Sequence, residues 1–289
     1  MTVLQDASKS ATSAKEASTL RGILVHAEGN PDASPRLHVA VDLARKFDAT
    51  LVGVGVEMIQ IYSDPYGLGG GEWVVQLQHI VEDDLKLAEA TFQAKSAGLK
   101  TEWIAMETFP VQAMARHARS ADLIVAGGAP EKGEDRFRAA HTAELIMQCG
   151  RPVFVAPAAP GRFHGRAVVV AWKDTRESRR ALADSLPFLK AADDVLILEC
   201  CDKDSLVQAR ASTAEVVKHL QRHGVEAKSK AVVAPRAQVA AELNAAAREI
   251  GADLIVAGAY GHSRLGEWAL GGVTYDLLHS PERFVLLSH

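Results

Sequence analysis

Cysteine is scarce in this 289-residue sequence: there are three (Cys149, Cys200, Cys201), too few and too unevenly placed for a disulfide framework, and there is no C-x-x-C pair. A reducing, cytoplasmic setting is expected. No stretch approaches the roughly 18 uncharged apolar residues of a membrane span, which argues against a membrane protein. One-sided charge is also missing, because 32 Lys and Arg against 36 Asp and Glu leave a net charge of −4. Nucleic acid is therefore not expected as the main partner. Residues 1–20 are rich in Ser, Ala and Thr and lack the apolar core of a secretory signal, so they read as a disordered tail.

What is present is repetition. "ADLIVAGG" at Ala121–Gly128 recurs as "ADLIVAGA" at Ala252–Ala259, an offset of 131 residues (252 less 121). The same offset aligns "PVFVA" at Pro152 with "RFVLL" at Arg283. Each half alternates β-rich runs with stretches of helical period, the pattern of βαβ units. The first-half strands are expected at Gly22, Thr50, Thr101, Ala121 and Arg151. The second-half strands are expected at Arg166, Asp194, Ser229, Ala252 and Glu282. Helices are expected over 35–47, 72–97, 177–189, 206–223 and 239–250.

The near-continuous Val/Ile/Leu runs suit strands covered on both faces. The expected fold class is α/β: two tandem doubly wound, Rossmann-like domains, each a five-stranded parallel sheet of order 3-2-1-4-5 flanked by helices. The domains are expected over 21–157 and 166–289, with 158–165 in the Pro- and Gly-bearing segment "APAAPGRFHG" as linker.

In such a sheet, ligands sit beyond the carboxyl ends of the strands where the order reverses, between strands 1 and 4. In the second half these ends carry "WKDTRES" (Trp172–Ser178) and "GAYGHSRLGEWALGGVT" (Gly258–Thr274). The spacing Gly258-x2-Gly261-x9-Gly271 reads mechanically as two glycines for a tight turn close to a phosphate and a third opening a helix. The helix N-terminus would hold the anion, with His262 and Arg264 adding charge. Glycines also end strands and start helices in proteins that bind nothing there, so this spacing alone is weak.

These motifs, with "VVVAWKDTRESRRALADSLPFL", resemble the universal stress protein family in its tandem form, over Gly22–His289. The resemblance implies the adenine nucleotide alpha hydrolase-like fold and a stress-response binding or regulatory module. It implies ATP or another adenine nucleotide in the second domain, with Mg as an optional companion. The residues it points to are Trp172, Lys173, Asp174, Thr175, Gly258, Gly261, His262, Arg264, Gly271, Gly272, Val273 and Thr274.

Two departures bear on that site. The family's Ser/Thr after the third glycine is Gly272, and the acidic residue that ATP-binding members carry at the end of strand 1 is Lys173, with Asp174 one residue later. In the first half Gly127 matches Gly258, but Pro130 replaces Gly261 and Ala140 replaces Gly271, so phosphate binding in the family manner is not expected there. The two halves are expected to pair through their last strands, and two chains to form a homodimer.

Other features weigh less. The Gly-rich stretch Ile59–Val75, with Tyr62, Tyr66 and Trp73, is a candidate lid, apolar-ligand site or contact surface. His219 and His223 have metal-binding spacing but no third ligand, and suit a helix C-terminus better. Cys200–Cys201 reads as packing. Asp174, Glu177 and Glu267 form no general-base pattern with a nucleophile, so catalysis is expected to be at most slow ATP hydrolysis. The alternatives are an enzyme acting on adenine nucleotides, and a scaffold or apolar-ligand binder using the 59–75 stretch.

Overall fold

The computed structural model describes residues 20–29, 35–58, 71–128, 140–158, 161–260, 272–279 and 282–289; of 71–74 it gives the backbone alone. In the first half, β1 (Gly22–Ala27), β2 (Thr50–Glu57), β3 (Thr101–Glu107), β4 (Leu123–Gly127) and β5 (Val153–Ala156) alternate with α1 (Pro35–Phe47), α2 (Gly71–Lys95), α3 (Pro110–His117) and α4 (Thr142–Gln148). The second half repeats the pattern with β6 (Ala167–Ala171), β7 (Asp194–Cys201), β8 (Lys228–Val233), β9 (Leu254–Gly258) and β10 (Phe284–Ser288). Its helices are α5 (Arg176–Leu189), α6 (Leu206–Arg222), α7 (Val239–Glu249) and α8 (Gly272–His279).

All ten strands form one sheet of order β3-β2-β1-β4-β5-β10-β9-β6-β7-β8. Each half is the expected 3-2-1-4-5 parallel sheet. The halves join through β5 and β10, which pair antiparallel with Val155 opposite Val285. β1 is buried at every position and β9 at all but its last, as strands between two helical layers require.

Alternation along the strands divides the core into two layers. Ile23, Val25, Val168 and Val170 face the layer of α1, α5 and α6, whereas Leu24, Ile124, Val169 and Ile255 face that of α3, α4, α7 and α8. At the junction of the halves the first layer holds a cluster of phenylalanines. Phe154 lies 5.1 Å from Phe163, 5.5 Å from Phe188 and 5.6 Å from Phe284, and Phe47 meets Phe188 at 5.2 Å. Aromatic contacts of this kind add to the area that they bury, so the two halves share one apolar core across the β5–β10 seam.

Candidate functional site

In the second half the strand order reverses between β6 and β9, whose Val168 and Leu254 pair in register. The connection after β6 enters α5 on one face of the sheet, and α8 packs with α7 on the other. The carboxyl ends of β6 and β9 therefore lie between the start of α5 and the start of α8, which is where a doubly wound sheet offers a crevice.

Trp172 is buried and its indole N–H donates to Ser212 Oγ at 2.8 Å, so the ring is built into the wall between β6 and α6. Lys173 and Asp174 follow it on the surface, and the Asp174 carboxylate pairs with Arg179. Thr175 caps α5 by accepting from the Ser178 N–H at 3.3 Å. Glu177, in the first turn, is buried. Burial pushes its carboxyl up, but bonds from its own backbone, Arg176 and Thr175 outweigh that and hold it below the usual range.

Gly258 corrects one part of the mechanical reading. It does not supply the turn: the left-handed residue here is Tyr260, at φ 60°. A Cβ on Gly258 would lie 2.6 Å from the Glu177 carbonyl carbon and the Ser178 nitrogen, so glycine is required because the backbone of α5 presses on the end of β9. Tyr260 has a buried hydroxyl without a partner among the described residues, and burial pushes its phenol up to about 12.

At the other wall, Gly272 opens α8 in an exposed position where a Cβ would meet no described atom within 4 Å. Val273 is half-buried and Thr274 buried. Gly261, His262, Arg264 and Gly271 lie outside the described residues, as do Pro130 and positions 59–70 of the Ile59–Val75 stretch.

The matching place in the first half holds a cluster that sequence reasoning missed. Glu28 occupies the position of Lys173 when the halves are superposed on their registers, in which Ile23 faces Leu123 and Val168 faces Leu254. Its carboxylate bonds to Arg36, from the first turn of α1, and lies 3.3 Å from Nδ1 of the buried His26. Arg36 Nε also donates to the His26 carbonyl at 2.9 Å. Burial pushes the Glu28 carboxyl up, but the His26 hydrogen bond and the Arg36 charge outweigh it and hold it at about 2. Burial also lowers the His26 imidazole, the hydrogen bond with Glu28 opposing it, and Nε2 is buried with no partner among the described residues. The available signal was the spacing of His26, Glu28 and Arg36 around a strand-to-helix connection.

Glu199, near the end of β7, was also missed. One of its carboxylate oxygens is buried without a donor among the described residues. Burial raises the carboxyl, the nearby Asp174 raises it further, and Lys173 opposes them.

No protein-family model and no curated protein matches the chain. Solved structures do. A universal stress protein from Archaeoglobus fulgidus DSM 4304 superposes with a TM-score of 0.68 at 15% identity, covering 92% of this chain and 97% of that one. The fold is that of a universal stress protein. A functionally unknown protein from Pseudomonas aeruginosa PAO1 also superposes, with a TM-score of 0.57 at 15% identity over 93% of this chain and 92% of its own. The universal stress protein fold thus extends over both halves. Among the described residues, no group of three or more His, Cys, Asp or Glu is placed to hold a metal ion, and the rings of His219 and His223 lie 4.8 Å apart. No helix among them is long and apolar enough to cross a membrane.

Proposed function

We propose that this chain is a tandem universal stress protein, a stress-response binding module whose second half takes an adenine nucleotide. The observation that carries the reading is the sequence spacing Gly258-x2-Gly261-x9-Gly271, which begins at the end of β9, one of the two strands between which the order of the second half reverses. The N–H groups opening α8 and the exposed Lys173 would meet the phosphates. Gly272 leaves room there for the hydroxyl that the family motif carries. Mg would arrive with the phosphates, since no carboxylate cluster among the described residues is placed to hold it. In the first half, Glu28 is occupied by Arg36 and His26, which supports a different role for that half. Any association of two chains would use a surface other than the fifth strands, which already pair within the chain.

Calorimetric titration with ATP tests this. The wild-type protein should bind, Gly261→Val should abolish binding without unfolding the protein, and Gly272→Ser should tighten binding about ten- to a hundredfold by one added bond to a charged group. Failure of the wild type to take up millimolar ATP would contradict it. A second reading, partner binding through the 59–75 stretch, is favoured by the exposed Val75, Ile80 and Leu87 on α2 that follows it. Shortening that stretch would then remove the partner while Gly261→Val would not.

A further inference from the structure

We infer that Glu199 selects the non-phosphate end of the ligand in the second half, by accepting a hydrogen bond from an N–H or O–H donor of the nucleoside part. This rests on the nucleotide reading above and adds the residue that would read the nucleoside. Register puts Glu199 in the right place: Ala171 pairs with Leu198, so Glu199 lies opposite Trp172, the residue before Lys173 and Asp174. Ile197 and Val195, two and four positions back, share a core layer with Trp172, so Glu199 belongs to that same face. Trp172 is fixed there by its bond to Ser212. Beside this wall, one carboxylate oxygen of Glu199 is buried and no group among the described residues donates to it. A buried acceptor without a donor is unfavourable, and a ligand donor would satisfy it.

The first half shows what this place looks like when it is filled by protein. Superposed on their registers, the halves put Gly55 where Glu199 stands and Trp103 where Ser229 stands. The Trp103 ring covers Gly55 so closely that a Cβ there would be 2.5 Å from Cζ2. In the second half the covering residue is an exposed serine, and a carboxylate takes the place of the glycine. The half with the glycine-spaced segment is therefore the one in which the tryptophan plug is absent.

The test is calorimetry with ATP, adenosine, 2′-deoxyadenosine and inosine on wild-type protein and Glu199→Gln, with melting curves as the folding control. Glu199→Gln should weaken adenosine at least about tenfold, as expected for a bond to a charged acceptor. If the donor is the exocyclic amine, inosine will match the variant's loss; if it is the ribose 2′-hydroxyl, the deoxynucleoside will. Wild-type affinity should rise with pH as the carboxyl ionises between Asp174 and Lys173, and the variant should be flat. The paired change Glu199→Gly with Ser229→Trp, which copies the first half, should block adenosine. ATP and adenosine binding unchanged in Glu199→Gln and in the paired variant would overturn this inference and leave the nucleotide reading standing. A wild type that binds neither would overturn both.

Discussion

Asp122 and Asp253 stand at the same place in the repeated "ADLIVA", and each clips the backbone ahead of the first strand of its half. Asp122 accepts from the N–H groups of Arg21 and Gly22 at 2.7 and 3.0 Å, and Asp253 from those of His164 and Gly165 at 2.7 and 2.9 Å. The repeated aspartate is thus structural, and Asp253→Ala should lower stability by about 1–3 kcal/mol in urea unfolding. At the His26 cluster the prediction concerns pH. A folded-state imidazole held below its unfolded value of 6.5 takes up its proton less readily than in the unfolded chain, so stability should begin to fall as pH drops through 6.5. His26→Gln should flatten that limb. Glu28, ionised down to about 2 against 4.5 when unfolded, keeps its contribution above 4.5 and loses it between those values, on the order of 3 kcal/mol in all. Unfolding measured from pH 8 to pH 2 would check both windows.

The contact of α5 with β9 is the critical one near the candidate site. Gly258→Ala drives a Cβ into the α5 backbone and should destabilise the protein by about 1–3 kcal/mol, whereas Gly127→Ala, with no described atom within 4 Å, should be far milder. Comparing the two variants in thermal melts separates a packing role from a general intolerance of side chains. This contact also marks how far the sequence could be read. The β-rich runs and helical periods located the strands and long helices to within a residue or two, because burial on both faces writes a continuous apolar signal. The reason for Gly258 was not legible, since a glycine that admits a neighbouring helix looks the same in sequence as one that makes a turn. The roles of Glu28 and Glu199 were hidden for a related cause: their partners, or lack of them, depend on side chains brought together by strand order rather than by spacing.

The seam between β5 and β10 makes the two halves one sheet, and the phenylalanines around it make them one core. Phe188→Ala, which removes a fully buried ring touching Phe47, Phe154 and Phe163, should cost about 3–5 kcal/mol and lower the melting of both halves together in a single transition. The outer edges carry Glu102 and Glu107 on β3 and Lys228 and Lys230 on β8, charges that discourage strand pairing between molecules. Within this frame the halves have diverged. One keeps a glycine-spaced segment and an uncapped carboxylate, and the other an occupied polar cluster and a tryptophan plug. Native mass spectrometry of freshly purified protein, followed by denaturation and identification of what is released, tests the central claim most directly. The account predicts one adenine nucleotide per chain, either carried through purification or taken up from millimolar ATP. Protein that is empty and stays empty in millimolar ATP would contradict it.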